Sequence, residues 1–389
     1  MNMKNKLKNL GICLIVIGLF LTSTQTISAL PQPLIPRPTV SSGTFYVGGG
    51  GPGNYSTIQS AINAASNGDT IFVYAGTYSE NIIIDKSLTL IGQDRNITLI
   101  QGNNLNQTIE ITGEGITLRE FTIKNDGTQD GIYTSTSDHT FANNVFTMTS
   151  RGIHMYYSSG NTITGSLFLD NTHSGIYVDV GQNNTISGNE FYNNPDEGIY
   201  LTGCGRTTID RNAIHDNGIG IHAYQAEGNI ISNNVIDSNT YGIFFAGMFT
   251  IHSNFNTISH NTINNNSICG LRIEHSEFNR IEFNKIEGNG KGIQFYFTGA
   301  NLISQNVIQS SGIVEIELTF SIGDLIIKNN INNTQQALVL VQINFGFADA
   351  SNDWWGSIQW PLRRIRPIGG WVMILPWRMN PFDLNVGPS

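Results

Sequence analysis

The 389-residue sequence has little charge and little cysteine: 13% of its residues are charged, and it contains three cysteines. It also lacks the long helical pattern of Leu, Ala, Glu and Lys that a helical bundle or coiled coil would show. Its apolar content of 39% is too high for a disordered chain. Gly is abundant, with 42 residues, as are Asn, Ile, Thr and Ser. This composition favours an all-β fold of short strands and turns, which at this length can form one elongated unit.

The N-terminal segment has the pattern of a secretory signal peptide. Lys4, Lys6 and Lys8 precede an apolar run over residues 10–21, and Ala29 offers a cleavage site. We predict a signal peptide over residues 1–29, a Pro-rich linker over 30–43, and a secreted protein of an extracellular, cell-surface or periplasm-like space. An uncleaved anchor is the alternative, but the apolar run is short for a bilayer, so we expect no stable membrane span after cleavage.

Cleavage would also change the charge of the chain. The signal peptide takes three lysines and no acid with it, leaving 17 basic against 29 acidic side chains. The mature net charge of about −12, without a continuous basic stripe, argues against a nucleic-acid partner.

From residue 131 the chain repeats itself with a period of roughly 22 residues. A Gly followed by a branched apolar residue marks the repeats, at Gly131, Gly152, Gly175, Gly198, Gly220, Gly242, Gly270, Gly292 and Gly312. Two further apolar columns follow, one containing Ile163 and Ile186 and one containing Phe168 and Phe191. Three columns indicate three short strands per coil, and the coils must stack to bury their apolar faces. One longer step predicts a loop insertion over residues 248–254, and Cys204 and Cys269 differ in repeat position, so no disulfide is expected between them.

An Asn column runs through the same repeats. Its members are Asn144, Asn189, Asn212, Asn234, Asn261, Asn284, Asn306 and Asn329, with Ser166 in one slot. Asn tolerates the left-handed conformation of sharp turns, and stacked amides can bond along a column. We therefore predict a structural Asn ladder.

These patterns resemble the right-handed β-helix repeats of the pectin-lyase-like superfamily, closest to the NosD-type periplasmic copper-processing group. The resemblance is carried by the Asn-x-Ile-x-x-Asn-x-Ile and Gly-Ile repeats, by an opening over residues 57–62, 68–71, 76–80 and 90–92, and by an ending over 352–356. It implies the fold but no particular activity, because this superfamily hosts many chemistries. The catalytic motifs of pectin methylesterases, polygalacturonases and pectate lyases are missing from the sequence, which disfavours those enzymes.

The predicted fold is a single-stranded right-handed parallel β-helix with three short strands per coil. We expect an N-terminal cap and first coils over residues 44–130, repeats over 131–345, and a Trp-rich C-terminal cap over 346–389. Ser56 is the expected cap of a short helix with Ile58, Ala61 and Ile62 on its apolar face. A helical repeat is the alternative, but β-branched residues dominate the columns and good helix formers are scarce.

Strand alternation places the residue after each Gly-Ile pair on the outside of the first sheet. This column reads Tyr133, His154, Tyr177, Tyr200, His222, Phe244, Arg272 and Gln294, and the next outward column includes Tyr156, Asp179 and Tyr224. Rings that lie flat against sugars, with polar groups at their edges, are one interpretation of this Tyr/His face. The alternative is that aromatic residues simply favour exposed strands and support one another across them.

Polar residues concentrate beside that face. Arg151, His173, Asp196 and Glu197 precede the Gly positions of neighbouring coils, next to His154. A lyase would use a His or Tyr base with an Arg, whereas a hydrolase would pair Asp179 with Asp196 or Glu197. The eight histidines include no close ligand pair, so we predict no metal site, and the sequence indicates no cofactor.

Three hypotheses stay open from the sequence. The first is a protein, expected to be a monomer, that binds polysaccharide through Tyr156, Tyr177, Tyr200, His222 and Tyr224 with Arg151 and His173. The second is a polysaccharide lyase or glycoside hydrolase with a centre near Asp179, His154, Asp196 and Glu197. The third is a structural surface protein or a NosD-like copper assembly factor, for which copper would rest on the resemblance alone.

Overall fold

The computed structural model describes residues 43–248, 252–332, 338–343, 347–349, 353–354, 365–368, 371–373 and 387. The predicted signal peptide, nearly all of the linker, part of the predicted insertion and most of the Trp-rich end lie outside the described residues. Within them, forty strands form three parallel sheets, here called A, B and C. In the described part of the chain, no helix is long and apolar enough to cross a membrane.

Each coil contributes one strand to each sheet, in the chain order C, A, B. Sheet A contains β1 (Thr44–Val47), β2 (Thr70–Val73), β5 (Thr89–Gly92), β8 (Thr117–Arg119), β11 (Thr140–Ala142), β14 (Thr162–Thr164), β17 (Thr185–Ser187), β20 (Thr208–Asp210), β23 (Ile230–Ser232), β26 (Thr257–Ser259), β29 (Arg280–Glu282), β32 (Leu302–Ser304), β35 (Ile322–Ile327), β38 (Phe347–Asp349) and β40 (Trp371–Met373). Sheet B contains β3 (Gly76–Ser79), β6 (Thr98–Gln101), β9 (Thr122–Lys124), β12 (Val145–Thr147), β15 (Leu167–Leu169), β18 (Glu190–Tyr192), β21 (Ala213–His215), β24 (Val235–Asp237), β27 (Thr262–Asn264), β30 (Lys285–Glu287), β33 (Val307–Gln309) and β36 (Asn330–Asn332).

Sheet C carries the predicted Tyr/His face. It contains β4 (Ile82–Ile84), β7 (Ile109–Ile111), β10 (Ile132–Thr134), β13 (Ile153–Tyr156), β16 (Ser174–Asp179), β19 (Glu197–Thr202), β22 (Ile219–Tyr224), β25 (Tyr241–Ala246), β28 (Cys269–Glu274), β31 (Lys291–Tyr296), β34 (Val314–Thr319), β37 (Leu338–Ile343) and β39 (Ile365–Ile368). The predicted β-helix with three strands per coil is therefore confirmed.

The core is built from like residues of successive coils. Ile153 pairs with Ile176, which pairs in turn with Ile199, and all three side chains are fully buried. In sheet B the rings of Phe146 and Phe168 stack with centroids 4.7 Å apart. Each coil therefore buries its apolar columns between its own three strands and against the coils above and below it.

The Gly of the Gly-Ile pairs from Gly131 to Gly292 is required by the close approach of neighbouring backbones. The prediction that Gly312 continues this column is wrong, because Ile293 pairs with Ile316 and a Cβ on Gly312 would meet no atom within 3.4 Å. A Cβ atom on Gly175 would lie 2.7 Å from the carbonyl oxygen of Gly198 and 2.7 Å from the ring of Phe191. The same overlap with the next coil recurs at Gly152 and Gly220, where the distances are 2.6 Å. This part of the repeat signature is thus a packing constraint, not a binding motif.

A short helix packs against the first coils. It is α1 (Ile58–Ala64), which contacts β1, β2 and β4 through Ile58, Ala61 and Ile62. Its N-cap is Thr57, one residue after the predicted Ser56, and the Thr57 hydroxyl accepts from the N–H of Ser60. The shift arises because the Glu80 carboxylate also accepts from the first two helical N–H groups, at 2.8 and 3.0 Å, which fixes the start of the helix.

Three ladders of buried polar side chains, not one, occupy the three turns of the coil. The first ladder, between sheets A and B, contains Asn144, Ser166, Asn189, Asn212, Asn234, Asn261, Asn284, Asn306, Asn329 and Asp353. The second, between C and A, contains His139, Asn161, Asn184, Thr207, Asn229, Asn256, Asn279, Asn301 and Asp324. The third, between B and C, contains Thr149, Asn171, Asn194, Asn217, Asn239, Asn266 and Asn289.

The ladder bonds tie each coil to the next. The side-chain oxygen of Asn234 accepts from both the backbone N–H and the amide of Asn212, at 2.9 and 3.0 Å. The Asn234 amide in turn donates to the carbonyl of Ile209 at 2.9 Å. The predicted amide ladder is confirmed, and it satisfies backbone groups that each turn would otherwise leave buried without a partner.

The other predicted reason for Asn in this column is wrong. In the first ladder, the left-handed residue is the one before each ladder position, with φ between 53° and 62°. These residues are Asn143, Gly165, Gly188, Arg211, Asn233, His260, Phe283, Gln305 and Lys328. Because Arg, Phe and Lys are accommodated there, the left-handed preference of Asn does not select the ladder residue; its hydrogen bonds do.

Candidate functional site

Six aromatic rings from six consecutive coils line the outside of sheet C. The ring column consists of Tyr133, His154, Tyr177, Tyr200, His222 and Phe244. Neighbouring ring centroids lie 4.6 to 5.1 Å apart. Each ring is half-buried, because strand alternation turns it outward while parallel pairing places the next ring directly beside it.

The rings pack against one another at two kinds of angle. His222 stacks between Tyr200 and Phe244, at interplanar angles of 15° and 6°. His154 meets Tyr133 and Tyr177 edge-to-face, at 73° and 70°. The stacked part of the column thus turns ring faces towards neighbouring rings, and the hypothesis that the rings lie flat against sugars stays a prediction.

Asp130 holds one polar cluster at the edge of the column. Its carboxylate accepts from Arg151 at 2.8 and 3.0 Å, and one of its oxygens lies 3.1 Å from Nδ1 of His154. The Arg151 guanidinium lies over the Tyr177 ring, 5.1 Å from its centroid. Burial works to raise the pKa of Asp130, but the bonds from His154 and Arg151 outweigh it and the pKa lies below its usual value.

Glu197 holds a second cluster, three coils further along than Asp130. One of its oxygens lies 3.2 Å from Nδ1 of His222, and the other accepts from the Ser174 hydroxyl at 2.7 Å. Burial again opposes ionisation, but these hydrogen bonds and the nearby His173 lower the pKa of Glu197. The carboxylate is therefore ionised and fixed in position at neutral pH.

A cleft of about 400 Å³ opens between these two clusters. It is lined by Ser150, Arg151, His173, Ser174, Tyr177, Asp196, Glu197 and Tyr200. Burial, reinforced by Tyr177 and Glu197, raises the pKa of Tyr200 to about 12, and burial and Asp179 raise that of Tyr177. Both phenols stay protonated, so each can donate as well as accept a hydrogen bond.

The cleft brings together six of the side chains predicted from the sequence, namely Arg151, His173, Tyr177, Asp196, Glu197 and Tyr200. His154 and His222 stand beside it through their bonds to Asp130 and Glu197. Sequence reasoning missed Asp130, Ser150 and Ser174. A signal for Asp130 was present, since it precedes Gly131 as Arg151 precedes Gly152.

Asp179, Tyr156 and Tyr224 lie at the opposite ends of their strands from the cleft. Glu197 is level with Ser174 in the sheet, and Asp179 is level with Thr202. Five strand positions separate the two levels, roughly 16 Å along the strand. Paired glycosidase carboxylates lie about 5 to 9.5 Å apart, so the structure does not bring Asp179 and Glu197 to that spacing.

Among the described residues, no group of three or more His, Cys, Asp or Glu side chains is arranged to hold a metal ion. Cys204 and Cys269 are both free and buried, and burial raises the pKa of their thiols to about 11 and about 12. Neither thiol is therefore poised as a nucleophile or metal ligand.

The sequence matches one family. The model for the right handed beta helix region matches residues 107–255 and, overlapping, 151–308, together more than half of the chain. Among curated proteins, "Probable pectinesterase/pectinesterase inhibitor 12" of Arabidopsis thaliana is 34% identical over 100 residues, covering 22% of this chain and 18% of that protein. The chain thus spans under a fifth of the length of this relative.

Solved structures with the same architecture are only distantly related in sequence. The A-module of the Azotobacter vinelandii mannuronan C-5 epimerase AlgE4 has a TM-score of 0.57 at 15% identity, over 84% of this chain and 96% of that one. The catalytic unit of an alpha-1,3-glucanase from Streptomyces thermodiastaticus gives 0.60 at 14%, over 93% and 72%. The Dettilon tailspike protein gives 0.63 at 16%, over 73% and 64%. At these identities the likeness shows the fold alone.

Proposed function

We propose that this chain, which belongs to the right handed beta helix family, is a secreted protein that binds an extracellular polysaccharide in the cleft beside the ring column. The observation that carries the proposal is the lining of the cleft. Within about 400 Å³ it combines two phenol hydroxyls, Ser hydroxyls, a guanidinium, an imidazole and two carboxylates. Sugar hydroxyls both donate and accept, and this set supplies partners of both kinds.

The proposed binding mode uses the phenol hydroxyls. The rings of Tyr177 and Tyr200 pack against neighbouring rings of the column, and their hydroxyls would contact sugar in the cleft. Their side chains are locked by stacking, so little rotamer entropy is lost on binding. Arg151 and Glu197 are likewise held by existing bonds, which gives the cleft a fixed shape before any ligand arrives.

The relatives support a carbohydrate ligand without naming it. The printed names of the similar proteins include a mannuronan epimerase, an alpha-1,3-glucanase and a pectinesterase, all of which act on polysaccharides. The same fold thus carries polysaccharide-related functions in several proteins, and the secretion signal predicted from residues 1–29 suits that setting.

The test removes hydroxyls while keeping rings. Tyr177→Phe combined with Tyr200→Phe should weaken binding to the tightest polysaccharide of a neutral and acidic panel about tenfold, because two hydrogen bonds are lost. Isothermal titration calorimetry gives the Kd. Tyr46→Phe, at an exposed tyrosine of sheet A, is the matched control and should leave the Kd unchanged.

Two results would contradict the proposal. One is a wild-type protein that binds no member of the panel. The other is a double variant that folds with an unchanged melting temperature and binds as tightly as the wild type.

A further inference from the structure

The cations beside and on strands β10 to β34 of sheet C are paired with carboxylates. Along strands β10 to β34 this face carries three Lys or Arg side chains in the described part of the chain, and each contacts a carboxylate. The ion pairs, with N–O distances of 2.5 to 2.8 Å, are Arg151–Asp130, Arg272–Glu274 and Lys291–Glu317. Arg272 is further occupied by the rings of Tyr241 and Phe244, whose centroids lie 5.7 and 5.3 Å from its guanidinium carbon.

Three carboxylates on the same face have no such partner. Within the described chain, Asp179, Asp196 and Glu197 make no ion pair with Lys or Arg. Glu197 is bonded only by neutral or titrating groups, Ser174 and His222. Asp196 is exposed at the rim of the cleft, where it also lines a second hollow of about 310 Å³. Counting Lys, Arg, Asp and Glu side chains, the charge left over on this face is therefore negative.

This imbalance bears on the kind of sugar that fits. A uronate or sulfate group would approach unpaired carboxylates, and two like charges 4 Å apart repel by about 1 kcal/mol even in water. Arg151 offers less compensation than a free cation would, because its Nε and Nη2 already bond to Asp130 and the carboxylate offsets its charge. A neutral sugar meets no such opposition and can donate its hydroxyls to the free acceptors.

We infer that the cleft selects uncharged glycans over glycans with carboxylate or sulfate groups. This inference rests on the proposed polysaccharide binding and names the substrate class of the same site. The phenols of Tyr177 and Tyr200 and the acceptors of Asp196 and Glu197 bind sugar hydroxyls, and the unpaired carboxylates exclude acidic chains.

The experiment uses polymer pairs with one backbone and two charge states. Carboxyl-reduced and native polyuronates, and hydroxyethyl and carboxymethyl cellulose, are titrated into the full-length protein at low and high salt. Within a pair that binds, the uncharged polymer should bind at least fivefold more tightly than the charged polymer at low salt. This difference in Kd should shrink at high salt.

A charge-removing variant sharpens the test. Asp179→Asn with Asp196→Asn should reduce the preference for the uncharged member about fivefold at low salt, because Asn keeps an acceptor oxygen but carries no charge. Asp237→Asn, which removes a carboxylate from sheet B, is the matched control and should leave this preference unchanged.

The outcomes separate the two proposals. Tighter binding of the charged member, weakening with salt, overturns the charge inference and leaves polysaccharide binding standing. A preference for the uncharged member that stays unchanged in the double Asn variant also overturns the charge inference. No binding of any polymer by the wild-type protein overturns the proposed function itself.

Discussion

The polar ladders inside the β-helix and the ring column outside it are both stacks with one side chain per coil. In the ladders, like side chains meet head to tail, and almost every donor and acceptor is used by the next coil. In the ring column the members differ, and charged groups such as Arg151 and Glu197 stand beside them. Uniform repetition inside satisfies buried backbone groups, whereas variation outside leaves groups free for a ligand.

Breaking a ladder should have the largest effect. Asn266→Ala would leave the buried N–H of Asn239 without its partner and remove the bond to the carbonyl of Ile236, and should lower the free energy of unfolding by about 3 kcal/mol. Asn265→Gly is the matched control, since Asn265 is exposed with φ of 51°, which Gly adopts freely. Chemical denaturation measures both, and equal losses would contradict the distinction.

The acid that ends the second ladder should be a stability switch. Burial raises the pKa of Asp324 to about 6, although bonds from Asn301 and Thr298 oppose this. The stability that protonated Asp324 contributes is thus complete below pH 4 and is lost as the pH rises to about 6. Asp324→Asn should stabilise the protein by up to about 3 kcal/mol at pH 7 and by little at pH 4. Melting temperatures at the two pH values test this, and an equal shift at both would exclude the titration as the cause.

The histidine that begins the same ladder should act in the opposite direction. Burial lowers the pKa of His139 to about 4, against weaker raising effects of Thr136 and Asp138. The stability that neutral His139 contributes is therefore complete above about pH 6.5 and falls as the pH drops towards 4, by about 3 kcal/mol. His139→Asn should flatten this slope in denaturation curves, whereas His260→Asn on the outside should leave it. A slope that persists in His139→Asn would contradict the assignment.

The ring column should tolerate exchange where the ladders do not. His222→Phe keeps a ring between Tyr200 and Phe244 and should change stability by less than about 1 kcal/mol. It removes the bond to Glu197, so the pKa of that carboxyl should rise towards its usual value. An NMR titration of Glu197 measures the rise. A stability loss as large as that of Asn266→Ala would mean that the column is structural.

The repeat could be predicted because it depends on residue type and spacing along the chain. Pairs such as Gly175 and Ile176 recur at nearly regular steps, since the coils from Gly131 to Gly292 present the same backbone overlap to the next coil. The second and third ladders were equally visible in principle, as Asn171, Asn194 and Asn217 recur at 23-residue steps. The sequence alone did not identify these two ladders, because Asn is common in this chain and only burial distinguishes a ladder Asn from an exposed one.

The site was only partly predictable. The sequence indicated which residues share the outer face, because the period of two along a strand determines it. It did not indicate that the rings would turn their faces to one another, nor that Asp130 would occupy Arg151. Rotamers and ion pairs depend on neighbours a full coil away. The NosD-type resemblance and the monomeric state stay predictions.

The sequence by itself determined the coil, its three strands and the apolar columns, because each follows from spacing along the chain. The tertiary structure alone decided which charges on sheet C cancel and which remain, because an ion pair such as Arg151–Asp130 joins residues 21 positions apart. The proposed ligand class depends on that balance. The physical reason is that charge pairing depends on distances between side chains of different coils, whereas the three-strand pattern depends on residue spacing within one coil.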